Sequence, residues 1–523
     1  MIHPKTQTRE YWEREFSLTD SDIEQIYNHF LEELRPQTTD EIVRAIMVNR
    51  VASEKQEFLR QIRGRRVYQP SETYEVNDDL VFPLFDLVPG KVMAVRDGYN
   101  PQDGDFQVVT VKLRGKLRDF AGGLATDHTA NLQDGGLIVL IDAIDSKQIV
   151  AEYAELVDAK VQAALEDRDE FIVLGGKWFV NTLLIDVSIG HLHLAEAVLD
   201  MSGGGPLKTE DITIHLDLEP GSADETQTFS LNHALLKDDR FDEVAPKNNV
   251  AWFLHRMEPR FVREIPERLA YTPIEFHREY LNKPLQLLVR EIADEWSDLE
   301  PAVESDSHTF SLLYSHRLLG TMPLNGSMRA LMPLGRSPRQ LFVFRNTETG
   351  EELPIWAVRK GRYLYGFKEW YEKNSILVGA YITVKKGPGN VMLFDYHRRR
   401  TQTEDVRLAT VADGRIRFDL QRRRIACQYD DLLTVGTDYT AAIDAVWKRA
   451  QTRSLAQLIA VLLPELAALS PQNAVHGKTL YAILNMVMRM PPGPIFAELV
   501  RHPAFVPVGE HYWRFDTSRI RRG

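Results

Sequence analysis

Apolar positions recur in one fixed arrangement at two places far apart in the chain: a Leu, five residues, a Phe, two residues, a Val, then a polar loop closed by a Trp. The first copy is Leu235, Phe241, Val244 and Trp252, and the second is Leu499, Phe505, Val508 and Trp513. Fixed core spacing followed by a variable loop predicts a helix, a strand, a turn and a returning strand at each place. A second repeat stands at helix starts, where Pro36, Thr39, Asp40, Glu41 and Ile42 match Pro206, Thr209, Glu210, Asp211 and Ile212. Proline stops a preceding helix, Thr satisfies orphan N–H groups, and carboxylates suit the positive end of the helix dipole. Helices are therefore expected to begin at Thr39 and at Thr209.

Over residues 1–80, helical spacing runs through Ile23, Ile26, Tyr27, Phe30 and Leu34, then through Ile42 and Ile46, then from Val51 to Ile62. Gly64 ends this third helix, and Val67, Tyr68 and Tyr74 read as short strands. From Phe82 the period becomes two, through Val92, Val95, Phe106, Val108, Val109, Val111 and Leu113. With Pro89-Gly90, Asp97-Gly98, Asn100-Pro101 and Asp103-Gly104 as turns, residues 81–148 are expected to form a small β barrel. Lys112, Arg114, Lys116 and Arg118 are expected on one face of a strand. Residues 149–262 then hold a second helix-and-hairpin module, and 263–307 a charged helical connector punctuated by Pro273 and Pro284. Residues 308–432 are β-rich with one helix near 366–374, and 433–523 form a last helical module.

Three helices followed by a hairpin resemble the winged helix-turn-helix. The C-terminal copy is similar to the HARE-type winged helix family at Leu499, Phe505, Val508, Gly509 and Trp513. These are core and turn positions, so the resemblance implies fold rather than target. In the β-rich region, a strand with Trp356, a helix carrying Phe367, Trp370 and Tyr371, then Leu377, Gly379 and a strand resemble the B3-type DNA-binding pseudobarrel. Ala380 stands where that family has an Asp. The expected fold class is multidomain α+β, with winged helix-turn-helix modules alternating with small antiparallel β barrels or sheets.

At 523 residues, 44% hydrophobic and 26% charged, the chain reads as several globular domains. A lone Cys427 excludes a disulfide framework and a multi-cysteine zinc site, and suits a reducing cytoplasmic setting. The longest apolar candidate, Leu455 to Leu469, is broken by Gln457, Pro464 and Glu465, short of the roughly 18 apolar residues of a membrane span.

Net charge is −12, which alone opposes binding to phosphates. Its distribution changes the picture: residues 309–432 carry about 21 Lys and Arg against about 12 Asp and Glu, so the acidity belongs to the N-terminal half. Arg398, Arg399, Arg400 and Arg422, Arg423, Arg424 bracket a hairpin whose turn is Asp413-Gly414 and whose return strand carries Arg415 and Arg417. Folding is expected to merge the two triplets into one cationic surface, and each guanidinium can grip two phosphate oxygens. Further candidates for nucleic-acid contact are Arg501 and Arg514 in the last module, with Arg519, Arg521 and Arg522 on the tail, and Arg60, Arg63, Arg65 and Arg66 in the first module.

The expected partner is duplex DNA, in a transcription-associated or regulatory role. In the middle module, Asp238, Asp239, Asp242 and Glu243 lie where phosphates would sit, so that copy is expected to serve packing or protein contact. The acidic half suits a basic protein partner. Winged helices also serve protein assembly and two of the three show no decisive basic helix, which makes a protein-interaction scaffold the alternative reading. No catalytic, cofactor or metal residues are expected. His476-Gly477-Lys478-Thr479 has Gln472 where a phosphate loop needs glycine, and nucleophile-elbow, zinc-protease and dinucleotide motifs are missing. His191 and His193, two apart on a helix, point away from each other. A metal-dependent nuclease built on Asp142, Asp145 and Asp186 is the third reading.

Overall fold

One order of elements occurs three times: helix, two-residue strand, helix, helix, hairpin. The first copy is Asp20–Glu33, Gln37–Thr38, Thr39–Ile62, Ser146–Glu166 and the hairpin Phe171–Leu174 with Lys177–Val180. The second is Ile189–Met201, Leu207–Lys208, Thr209–Thr213, Asp224–Leu236 and Phe241–Glu243 with Ala251–Leu254. The third is Leu455–Ala467, Val475–His476, Gly477–Val487, Pro492–Arg501 and Phe505–Gly509 with Tyr512–Phe515. In each, the two-residue strand pairs antiparallel with the second arm of the hairpin. This computed structural model describes residues 4–519 apart from 86, 127, 129–130, 132–140, 219–220, 248 and 298–304; Arg521 and Arg522 lie outside the described residues. The chain divides into two units, residues 1–186 with 219–230, and residues 187–218 with 231–523, and both mix helices with sheets.

Side chains repeat with the elements. Trp178 lies opposite Gln37, Trp252 opposite Leu207 and Trp513 opposite Val475. Leu165, Leu235 and Leu499 are each 0% exposed at the end of the third helix, and Phe171, Phe241 and Phe505 open the first hairpin arm in the core. The pattern seen twice in the sequence thus occurs a third time, as Leu165, Phe171, Leu174 and Trp178. Both predicted helix starts, Thr39 and Thr209, are where the helices begin. Thr38, not Thr39, caps the first by exchanging bonds with Glu41. Thr39 Oγ1 instead accepts the Trp178 indole N–H at 3.0 Å, and Thr209 Oγ1 accepts that of Trp252 at 3.1 Å. In the third copy Gly477 occupies the corresponding place, and the buried Trp513 Nε1 has no hydrogen-bond partner among the described residues.

The first copy departs from expectation. Val51 to Ile62 is not a separate helix, because no Gly, Pro or cap interrupts the run from Thr39, and one 24-residue helix results. No hairpin forms over Val67–Tyr74. Arg66–Val67 instead pairs parallel with Asp79–Phe82 and opens a five-stranded sheet continued by Val88–Asn100, Gly104–Leu113 and Lys116–Gly122. This sheet, with Tyr68, Tyr74, Leu80, Phe82, Val92, Val109 and Val111 in its core, is inserted between the second and third helices of the module. The module's own hairpin lies beyond it, at 171–180.

Within the sheet, Pro89-Gly90 and Asp97-Gly98 are not turns, since both dipeptides lie inside the strand 88–100. A Cβ on Gly90 would come 2.6 Å from Val111 Cγ1, and one on Gly98 2.7 Å from Val108 Cγ2, so these glycines admit a crowded neighbouring strand. Arg114 and Gly115, both at positive φ, form a hairpin turn, which places Lys112 and Lys116 on different strands and removes the expected basic row.

The second unit contains a seven-stranded sheet. Its order is Ser307–Ser311, Tyr381–Lys386, Met392–Tyr396, Arg339–Asn346, Glu352–Val358, Tyr363–Tyr365 and Thr321–Pro323, parallel only between 339–346 and 392–396. The helix Lys368–Lys373 lies over it, and Phe367, Trp370 and Tyr371 join Phe342, Phe344, Ile355 and Phe394 in one core. The strands Arg398–Ala412 and Arg415–Cys427 follow as a long hairpin with Asp413-Gly414 at its turn. The described residues of the expected charged helical connector pack into a core of the second unit. Pro284 sits at the start of the helix Lys283–Ile292, where proline is tolerated, and Leu285, Leu288 and Val289 share a core with Leu480 and Phe496 of the third module.

Candidate functional site

The third helix of each module is the element that a groove-reading protein would present, and none of the three is both basic and accessible. In the first module the helix 146–166 buries Ile149, Val150, Val157, Val161 and Leu165. Its exposed side carries Ala151, Glu152, Glu155, Ala159, Ala163 and Glu166, followed by exposed Asp167 and Asp169. Lys147 is exposed at the first turn, while Lys160 turns inward and donates to the carbonyls of Trp12, Glu13 and Phe16 at 2.9–3.1 Å. In the second module the helix 224–236 buries Thr226, Phe229, Ser230, Leu231, Asn232 and Leu235, and exposes Asp224, Glu225 and Leu236. In the third, the helix 492–501 is buried from Pro492 through Ala497, with Phe276 packed against Gly493, and exposes Val500 and Arg501.

The cationic residues singled out in the sequence do not form one strip. Side chains alternate along the strand 415–427, so Arg422 and Arg424 face one side of the hairpin and Arg415, Arg417 and Arg423 the other. Carboxylates hold most of the guanidiniums. Arg398 pairs with Glu348 and Asp395 and lies 4.2 Å from the Tyr396 ring centre. Arg399 meets Glu404 at 2.6 Å, Arg417 pairs with Glu465, Arg423 with Asp438, and Arg422 lies 3.9 Å from Asp405. Arg501 binds Glu498 through two nitrogens, Arg60 pairs with Glu57, and Arg66 reaches Asp78 at 2.9 Å and Glu72 at 3.3 Å. Arg65 donates to the Gln61 carbonyl. Arg63, Arg400, Arg415, Arg424 and Arg514 are exposed and make no ion pair among the described residues.

Three of the four carboxylates singled out around the second hairpin are engaged internally, while Asp239 is exposed. Asp238 accepts from Arg240, Glu243 from Ser337, and Asp242 from Arg339. His191 is part of a capping box with Ser188, and His476 caps the helix 477–487, whose Lys478 pairs with Glu291 and Asp430.

Sequence reasoning missed a buried ionic network in the second unit. Arg489, 0% exposed, pairs with Asp294 and Glu295 at 2.7 Å each and donates to Asn485 Oδ1 at 2.7 Å and the Met490 carbonyl at 3.0 Å. His316 joins through Glu295 at 3.2 Å, and Tyr481 donates to Asp294. Burial alone would raise the Glu295 carboxyl, but Arg489 and His316 outweigh it and hold the group well below the usual carboxylate range. Burial raises Asp294. The partners lie almost two hundred residues apart in sequence, so no local spacing announces them. Compared with known proteins, the chain matches no family model, no curated protein and no solved structure.

Proposed function

We propose that this chain is a protein-interaction scaffold built on three winged-helix modules, the first of which offers an acidic helix to a basic protein partner. The threefold order of helix, strand, helix, helix and hairpin, with a Trp at the same register in each, supports reading the modules as winged helices. The observation that carries the function is the state of their third helices: one acidic, one largely buried with an acidic start, one buried around most of its circumference. A helix lined by Glu152, Glu155 and Glu166 repels phosphates and attracts Lys and Arg, so its contacts weaken with salt. The test uses the full chain with a Lys-rich peptide as probe, read by fluorescence anisotropy across a salt series. The double substitution Glu152→Lys, Glu155→Lys is expected to weaken binding by about tenfold or more at low salt. Binding that ignores the reversal removes the proposal.

A second reading, contact with duplex DNA, is favoured by exposed Arg400, Arg422 and Arg424 on the long hairpin. It is also favoured by the adjoining seven-stranded sheet and the helix over it, where Trp356, Phe367, Trp370 and Gly379 resemble a B3-type pseudobarrel. It requires duplex binding by the full chain that falls steeply with salt and is lost in Arg400→Glu, Arg422→Glu, Arg424→Glu.

A further inference from the structure

Asp242, His255 and Glu258 converge at one end of the second module's hairpin. Asp242 lies in the first arm, while a tight turn, His255–Met257, follows the second arm and delivers Glu258. His255 N donates to the Arg240 carbonyl at 2.9 Å, which holds this turn beside the first arm. One donor atom from each side chain falls within 4.8 Å of the other two: Asp242 Oδ2 is 2.7 Å and Glu258 Oε2 3.7 Å from His255 Nδ1. The Glu258 side chain is 0% exposed, and neither of its oxygens receives a hydrogen bond.

The cation now nearest is Arg339, from the strand 339–346. Its Nη2 lies 2.7 Å from Asp242 Oδ2 and 3.2 Å from His255 Nδ1, and its Nε lies 3.1 Å from Glu258 Oε2 without hydrogen-bond alignment. Arg263 adds positive charge, but its Nε donates to the Glu258 backbone carbonyl instead. A buried carboxyl group normally takes several hydrogen bonds or a metal ion, and Glu258 has only the neighbouring Asp242 carboxyl with which to share one. Arg339 is partly exposed and long, so it can withdraw; Asp242 and Glu258 are carried by the hairpin and its closing turn.

We propose that Asp242, His255 and Glu258 form a binding site for a divalent metal ion of the zinc class. One imidazole and two carboxylates are a donor set that zinc accepts, and three protein ligands leave a fourth tetrahedral position for water. The ion enters from the side of His255, the most exposed of the three, and displaces Arg339 from Asp242 and His255. In the sequence Asp242 reads only as one of four acids in a wing, because its two partners arrive after the loop and the returning strand.

The full chain, stripped with chelator, is titrated with zinc chloride by calorimetry, and the loaded protein is measured by X-ray absorption. Expected are one saturable site per chain and a first shell of one imidazole with oxygen ligands. His255→Ala, at a partly exposed position that tolerates truncation, is expected to weaken binding by about 10–100-fold or more, and Glu258→Gln to do the same. Arg339→Gln, which removes the competing cation, is expected to keep or tighten it. The proposal is overturned by a lack of saturable zinc binding in the wild type. Wild-type affinity in His255→Ala, or a shell with sulfur or several imidazoles, overturns it equally.

Discussion

Replacing Trp252 and Trp513 by Phe, one at a time, separates hydrogen bonding from packing inside a repeated motif. Both residues lie in the second unit, at the same register of the same three-stranded arrangement, and are 1% and 5% exposed. The ring volume removed is the same, so the cavity penalties largely cancel in the comparison. Their indole N–H groups differ. Trp252 Nε1 donates to Asn232 Oδ1 at 2.8 Å and to Thr209 Oγ1 at 3.1 Å, whereas Trp513 Nε1 is buried with no partner among the described residues. Trp252→Phe should lose about 1–2 kcal/mol of hydrogen bonding beyond its packing loss, while Trp513→Phe should recover about 1 kcal/mol by removing an unsatisfied donor. The expected gap is therefore about 2–3 kcal/mol. Equilibrium urea unfolding of the full chain, followed by circular dichroism and compared at equal slope, measures it. Equal destabilisation to within about 0.5 kcal/mol, the usual scatter of independent sites, would refute the reasoning.

Arg489→Met should destabilise the second unit by about 3–5 kcal/mol, because it strands Asp294 and Glu295 in the core; a loss under about 1 kcal/mol in the same urea assay would contradict the network's account. Burial pushes His476 down to about 4, against about 6.5 in an unfolded chain. The unfolded state therefore takes up its proton first on acidification, so the contribution is intact above about pH 6.5 and lost as pH falls toward 4. His476→Asn keeps an acceptor for Lys478 N–H and should lower Tm less steeply over that range than the wild type does, as differential scanning calorimetry would reveal.

Helix starts at Thr39 and Thr209, the turn at Asp413-Gly414 and two of the three Leu–Phe–Trp patterns are legible because each depends on residues fewer than twenty positions apart. The first copy is hidden in the sequence for two reasons, one local and one not. Leu174 replaces the Val of the pattern, and the inserted sheet separates its hairpin from the Pro36–Ile42 signal by over a hundred residues. The expected cationic surface failed for a non-local reason. Its neutralising partners Glu348, Asp438 and Glu465 come from other elements, and strand alternation, once the register is known, divides Arg422 and Arg424 from Arg423. The buried Arg489 network and the Asp242 cluster are equally products of tertiary packing.

The inserted sheet imposes a timetable on synthesis. The helix 39–62 emerges from the ribosome about eighty residues before the helix 146–166 that covers it, an interval of roughly 4–16 s at ordinary elongation rates. Through that interval Ile42, Val43, Ile46 and Met47, all finally buried with Val157 and Val161, have no late partner to cover them. The nascent N-terminal segment thus carries this apolar face without its final cover until the helix 146–166 has been made, and a shortened insertion would reduce that interval.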